Sequence, residues 1–114
     1  AIRIGNPASW ESAITARNES NGAIDSVTDQ EILSAYEMLA SKEGIFCEPA
    51  SAASLAGLIK TNLTNPASIK DKTIVCVVTG SGLKEPELAE KQFNSKPIQI
   101  KPEIETVKKA ILNL

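Results

Sequence analysis

Residues 73–78 read TIVCVV, an almost wholly β-branched run that ends in Thr79, Gly80, Ser81 and Gly82. Strands covered on both faces carry unbroken apolar runs instead of an in-out alternation, because helices pack on each side of a parallel sheet. The run therefore predicts a central strand, and a central strand demands neighbours and flanking helices. Turn signals and helical periodicities on both sides of it supply candidates for those roles.

Between the turn signals GNP and SNG, the segment ASWESAITARNES has Trp10, Ala13 and Ile14 at helical spacing. Ser9 is placed to cap this helix, and Gly22 stands where a left-handed residue would end it. Ile24 and Val27 alternate with polar residues as in a short strand. Thr28 and Glu31 have the spacing of a capping box, Ile32, Leu33, Tyr36, Leu39 and Ala40 form one apolar face, and Gly44 is the stop. IFCE reads as a short buried strand. Pro49 then opens a further helix, PASAASLAGLIKTNL, where its missing N–H costs little; the small residues of that helix allow a neighbour to approach closely. After TIVCVV come a short helix, a short strand around 98–100, and a terminal helix with Ile104, Val107, Ala110 and Ile111 on one side. The order α-β-α-β-α-β-α-β-α predicts an α/β fold, three layers α/β/α around a largely parallel sheet.

A chain of 114 residues fits one small domain with one core. Its formal charge of −2 offers no clustered basic surface for nucleic-acid phosphates. The apolar runs fall far short of the roughly 20 residues that cross a bilayer, so no membrane partner is expected. The first residues, AIRIGNPASW, lack both an initiator Met and the pattern of a signal peptide, and read as a cut end. With two cysteines and no histidine, neither a disulfide framework nor a histidine-ligated metal site is expected. Cys47 and Cys76 read as buried free thiols of a cytoplasmic protein.

In open α/β sheets, ligands bind beyond the carboxyl ends of the strands. Two such ends carry unusual residues: Glu48 and Pro49 after IFC, and Thr79, Gly80, Ser81 and Gly82 after TIVCVV. Glycines let a backbone take positive dihedrals and come close to a bound group, and the Thr79 hydroxyl can both donate and accept. The loop lacks the Gly-x-Gly-x-x-Gly fingerprint and the Walker pattern. A tight strand-to-helix turn explains it equally well, and Glu48 can be a solvated carboxylate favoured by a helix N-terminus.

AIRIGNPASW, EGIFCEPASAASLAGL and VVTGSGLKEP stand in an order and spacing that resemble bacterial threonine synthases, over nearly the whole chain. EPASA and TGSGLK are also similar to threonine and serine dehydratases, pyridoxal-phosphate enzymes of the same fold type II; RIGNPASW points to the threonine synthases. The resemblance implies that residues 1–114 are the C-terminal part of a cofactor-binding large domain. The N-terminal half would hold the lysine that forms the Schiff base, the asparagine at the phenolic oxygen and the glycine-rich phosphate cup.

The family converts O-phospho-L-homoserine and water to L-threonine and phosphate, with pyridoxal phosphate as electron sink. The resemblance implies that Thr79 faces the pyridine nitrogen and leaves it largely unprotonated, that Glu48 lies near the ring or under the Thr79 loop, and that Gly80 and Gly82 shape the turn. It implies packing roles for Ser51 and Ser54, and a turn at Asn6 and Pro7 that borders the cleft. Lys42, Lys60, Lys84, Lys108 and Lys109 fall on polar faces or loops, so no catalytic residue is assigned here; the piece alone is expected to be inert and to bind cofactor weakly, and the intact enzyme to be a homodimer. The rival reading is a non-catalytic α/β ligand-binding module, which fold alone does not exclude. The two differ in surface: a self-sufficient domain covers its apolar faces, whereas a piece leaves bare those meant for the rest.

Overall fold

The computed structural model describes residues 2, 4–93 and 98–113. Within them the chain forms the helices α1 (Trp10–Glu19), α2 (Asp29–Glu43), α3 (Ala53–Thr64), α4 (Pro86–Gln92) and α5 (Ile104–Leu112). Short 3₁₀ turns precede α3 at Pro49–Ala52 and α4 at Gly82–Lys84. Ala1, the expected cut end, lies outside the described residues.

The helix boundaries follow local chemistry. At the start of α2 the Glu31 N–H donates to the Thr28 hydroxyl at 3.2 Å, and the Thr28 N–H donates to the Glu31 carboxylate at 2.6 Å, the reciprocal capping box that the spacing predicts. These bonds hold the Glu31 carboxyl below its ordinary pKa. Gly44 ends α2 in the left-handed region at φ 67°. At the end of α1 the expectation shifts by one residue: Asn21 takes the left-handed conformation at φ 52°. The Gly22 N–H then closes on the Arg17 carbonyl at 2.9 Å, and the Asn21 N–H reaches the Asn18 carbonyl at 3.4 Å. Asn tolerates this region because its short polar side chain bonds locally. Ser9 makes no side-chain cap.

The core sits between α2 and the segment from Cys47 through α3. Ile32, Ala35, Tyr36 and Leu39 of α2 are buried against Cys47, Ala52 and Ala56. Tyr36 anchors this cluster, with ring centroids 5.4 Å from Phe93 and 6.3 Å from Phe46, tilted in both cases. Burial raises the pKa of its phenol and that of the Cys47 thiol. The small residues of α3 divide in two: Ala52 and Ala56 let α2 come close, while Ala50, Ala53 and Gly57 line an open groove of about 1010 Å³.

The three-layer arrangement around a parallel sheet is not formed among the described residues. Segments 24–27, 73–78 and 98–100 carry no strand, and the IFCE segment contributes only an isolated antiparallel bridge between Cys47 and Ser81. A strand exists only through a partner about 4.8 Å away, and parallel partners arrive by crossovers of a dozen or more residues. Residues 73–78 find none here, which leaves Val75 83% and Val77 66% exposed. Helix α5 buries no residue and exposes Ile104, Ile111 and Leu112. None of the described helices is long and apolar enough to cross a membrane.

These bare faces give the chain an open shape. Its radius of gyration is 18.6 Å, against about 13 Å for a compact domain of similar length. Its accessible surface is 9129 Å², against roughly 6,000 Å² for a compact protein of this mass.

Candidate functional site

Two loops meet at one end of the α2/α3 core. The first is the turn 46–51 that leads into α3; the second is 79–82, at the end of the extended run. The Glu48 N–H donates to the Gly80 carbonyl at 2.9 Å and the Gly82 N–H to the Phe46 carbonyl at 3.1 Å, with the bridge of Cys47 and Ser81 between them. The chain thus builds one short antiparallel contact where the sequence pattern predicts strand ends in a parallel sheet.

The glycines act by their lack of a side chain. Neither Gly80 nor Gly82 has a positive φ, which corrects the expectation of special dihedrals. A Cβ on Gly80 would overlap the Glu48 carboxylate, and one on Gly82 would lie 2.6 Å from carbons of the Phe46 ring. Both loops approach so closely that only hydrogen fits at these two positions.

Glu48 is drawn to the second loop. It stands at the start of the 3₁₀ turn but makes no cap with its side chain. Its carboxylate rests on Gly80 and pairs with the Lys84 ammonium at 3.0 Å, the glutamate side chain being 13% exposed and the lysine 65%. Lys60 is engaged elsewhere, donating to the Ser26 carbonyl at 2.7 Å and pairing with Asp25 at 3.3 Å. Lys108 pairs with Glu105 on the exposed face of α5.

Thr79 lies at the surface with its hydroxyl 2.8 Å from that of Ser51, which is buried. Ser51 also receives the N–H groups of Thr79 at 3.1 Å and of Gly80 at 2.9 Å. One turn on, the Ser54 hydroxyl lies 3.2 Å from the Val77 carbonyl and 3.1 Å from that of Ser51. The end of the extended run is therefore fastened to α3 by two serines. Asn6 and Pro7 lead into α1 through a turn in which the Trp10 N–H meets the Pro7 carbonyl at 3.3 Å, and α1 buries none of its residues.

Of the residues singled out from sequence, Thr79, Gly80 and Glu48 are brought together. Ser51 is the one whose part was underestimated. A serine two positions after a proline at a helix start ordinarily caps its own helix, yet this one bonds to a loop 28 residues away. The arrangement suits a planar heteroaromatic group: a hydroxyl presented at the surface, backed by a rigid loop where a side chain on Gly80 would intrude. Thr79 offers a contact to a ring atom and no reactive group.

Comparison with known proteins agrees with this chemistry. Residues 1–80 match the family described as pyridoxal-phosphate dependent enzyme, a span that includes Glu48, Ser51, Thr79 and Gly80. The chain is 54% identical over 112 residues, 97% of its length, to a threonine synthase of Synechocystis, of which it covers 28%. It is 57% identical over 97 residues, 85% of its length, to a threonine synthase of Halalkalibacterium halodurans, of which it covers 27%. Along its full 114 residues it is 45% identical to a threonine synthase of Methanocaldococcus jannaschii, again covering 28%. It thus spans little more than a quarter of the length of these curated relatives. By the match over most of its length, the chain belongs to the family of pyridoxal-phosphate dependent enzymes.

Proposed function

We propose that this chain is the C-terminal part of the cofactor-binding domain of a threonine synthase, an enzyme that turns O-phospho-L-homoserine and water into L-threonine and phosphate. The observation that carries the reading is the Thr79 hydroxyl, held at the surface by Ser51 beside Gly80 and Glu48 within the segment that matches the family. Thr79 would face the pyridine nitrogen, Gly80 would leave room for the ring, and Glu48 would brace the loop through Lys84. Bound pyridoxal phosphate supplies an electron sink for carbanions at the substrate. The protein's part here is to place that ring and keep its nitrogen neutral.

The bare faces belong to the same reading. Val75, Val77 and the apolar side of α5 are exposed, and contiguous apolar surface of this kind marks a contact to be made. In the intact enzyme residues 73–78 take an interior place in a parallel sheet, within a three-layer α/β/α domain completed by the N-terminal half. That half also carries the lysine and the phosphate cup, so the 114-residue piece alone is inactive. Family resemblance extends the reading to a cytoplasmic homodimer.

The test uses the full-length enzyme offered O-phospho-L-homoserine, threonine and serine in turn. Release of phosphate and threonine from the first is the expected result. Preferred deamination of threonine or serine would move the reading to a dehydratase. Thr79→Val is expected to weaken cofactor retention by about two- to tenfold, the worth of one hydrogen bond.

A further inference from the structure

The hydrogen bonds around Ser51 decide which way its neighbour's proton points. A hydroxyl has one hydrogen to give and two lone pairs to receive. Both lone pairs of Ser51 Oγ are taken by backbone donors, the Thr79 N–H at 3.1 Å and the Gly80 N–H at 2.9 Å. The remaining contact, 2.8 Å to Thr79 Oγ1, must therefore use the Ser51 hydrogen. Thr79 Oγ1 receives in that bond, and among the described residues it makes no other. Its own hydrogen is left to point outward from an exposed side chain, while Ser51, 5% exposed, has no water to turn to.

We propose that Ser51 is a positioning residue that commits the Thr79 hydroxyl to donating outward, so that the loop takes a neutral heteroaromatic nitrogen and disfavours its protonated form. This rests on the reading in which Thr79 faces the cofactor ring. A free threonine hydroxyl can serve either state, donating to a bare nitrogen or receiving from a protonated one. With Ser51 in place, only the first is open, because a protonated nitrogen would meet hydrogen against hydrogen. Backbone amides cannot be rearranged by rotation, so the polarity is built into the chain path of residues 79 and 80.

The experiment loads full-length enzyme with pyridoxal phosphate labelled with ¹⁵N in the ring and follows the nitrogen resonance against pH. The native enzyme is expected to keep the resonance of an unprotonated ring throughout. In Ser51→Ala the midpoint for ring protonation should rise by about one pH unit, the scale of a single hydrogen bond to a charged group. Ser51→Cys keeps bulk in the buried site but donates only weakly, and should shift in the same direction if the alanine variant folds poorly. Thr79→Ser retains the hydroxyl and should behave as native. A loss of packing alone would lower occupancy without moving the midpoint of the cofactor that stays bound. Unchanged midpoints in both Ser51 variants overturn the proposal. If Thr79→Val also leaves the native resonance and retention intact, the placement of Thr79 at the ring nitrogen fails first.

Discussion

The α2/α3 half and the run 73–78 with α5 are equally apolar in pattern and opposite in outcome. Tyr36 is 1% exposed and Ala52 fully buried, whereas Val75 and Leu112 are each 83% exposed. The first half is built from neighbours that a short loop can deliver: α2 stops at Gly44, and five residues later the chain is already turning back along it. The second needs partners on both flanks of a strand. Burial is decided by what the chain can bring alongside, and an apolar pattern only states the requirement.

Truncating the centre of the covered half is the largest challenge. Tyr36→Ala removes the ring that packs between Phe46 and Phe93, and is expected to cost about 3–5 kcal/mol, read as a fall in the urea midpoint. Gly80→Ala comes next: its methyl group would overlap the Glu48 carboxylate, an overpacking expected to cost about 1–3 kcal/mol. Glu48→Ala in the same chain should recover most of that loss, and no recovery would mean that close loop approach is not why glycine stands there. The smallest effect is set for the bare half. Ile111→Asp on α5, a residue 64% exposed, should change the stability of this chain by no more than about 0.5 kcal/mol. The same substitution in the full-length enzyme should lower its thermal midpoint, since the face is then covered; equal behaviour in both would contradict a covered α5.

Much of the helical framework is legible in the residues. The capping box at Thr28 and Glu31, the left-handed stop at Gly44, Pro49 at a turn start and the apolar stripe of α2 all follow from interactions within about four positions. The stop of α1 is misplaced by one residue because Asn21 and Gly22 both tolerate the left-handed region, and only the path to the Arg17 carbonyl selects between them. For the site, Thr79, Gly80 and Glu48 can be named from motif and position. The role of Ser51 cannot, because its spacing fits a helix start and its real partners lie 28 residues away.

By itself the sequence determined where helices begin and end, which faces are apolar, and the family to which the chain belongs, because caps, turns and periodicity are set by near neighbours. Tertiary structure alone decided that two loops close antiparallel over Gly80, that Glu48 turns to Lys84, and that Ser51 directs a distant hydroxyl. It also decided that residues 73–78 stay unpaired here. Hydrogen bonds between remote segments depend on the whole path between them, and no local pattern encodes that path.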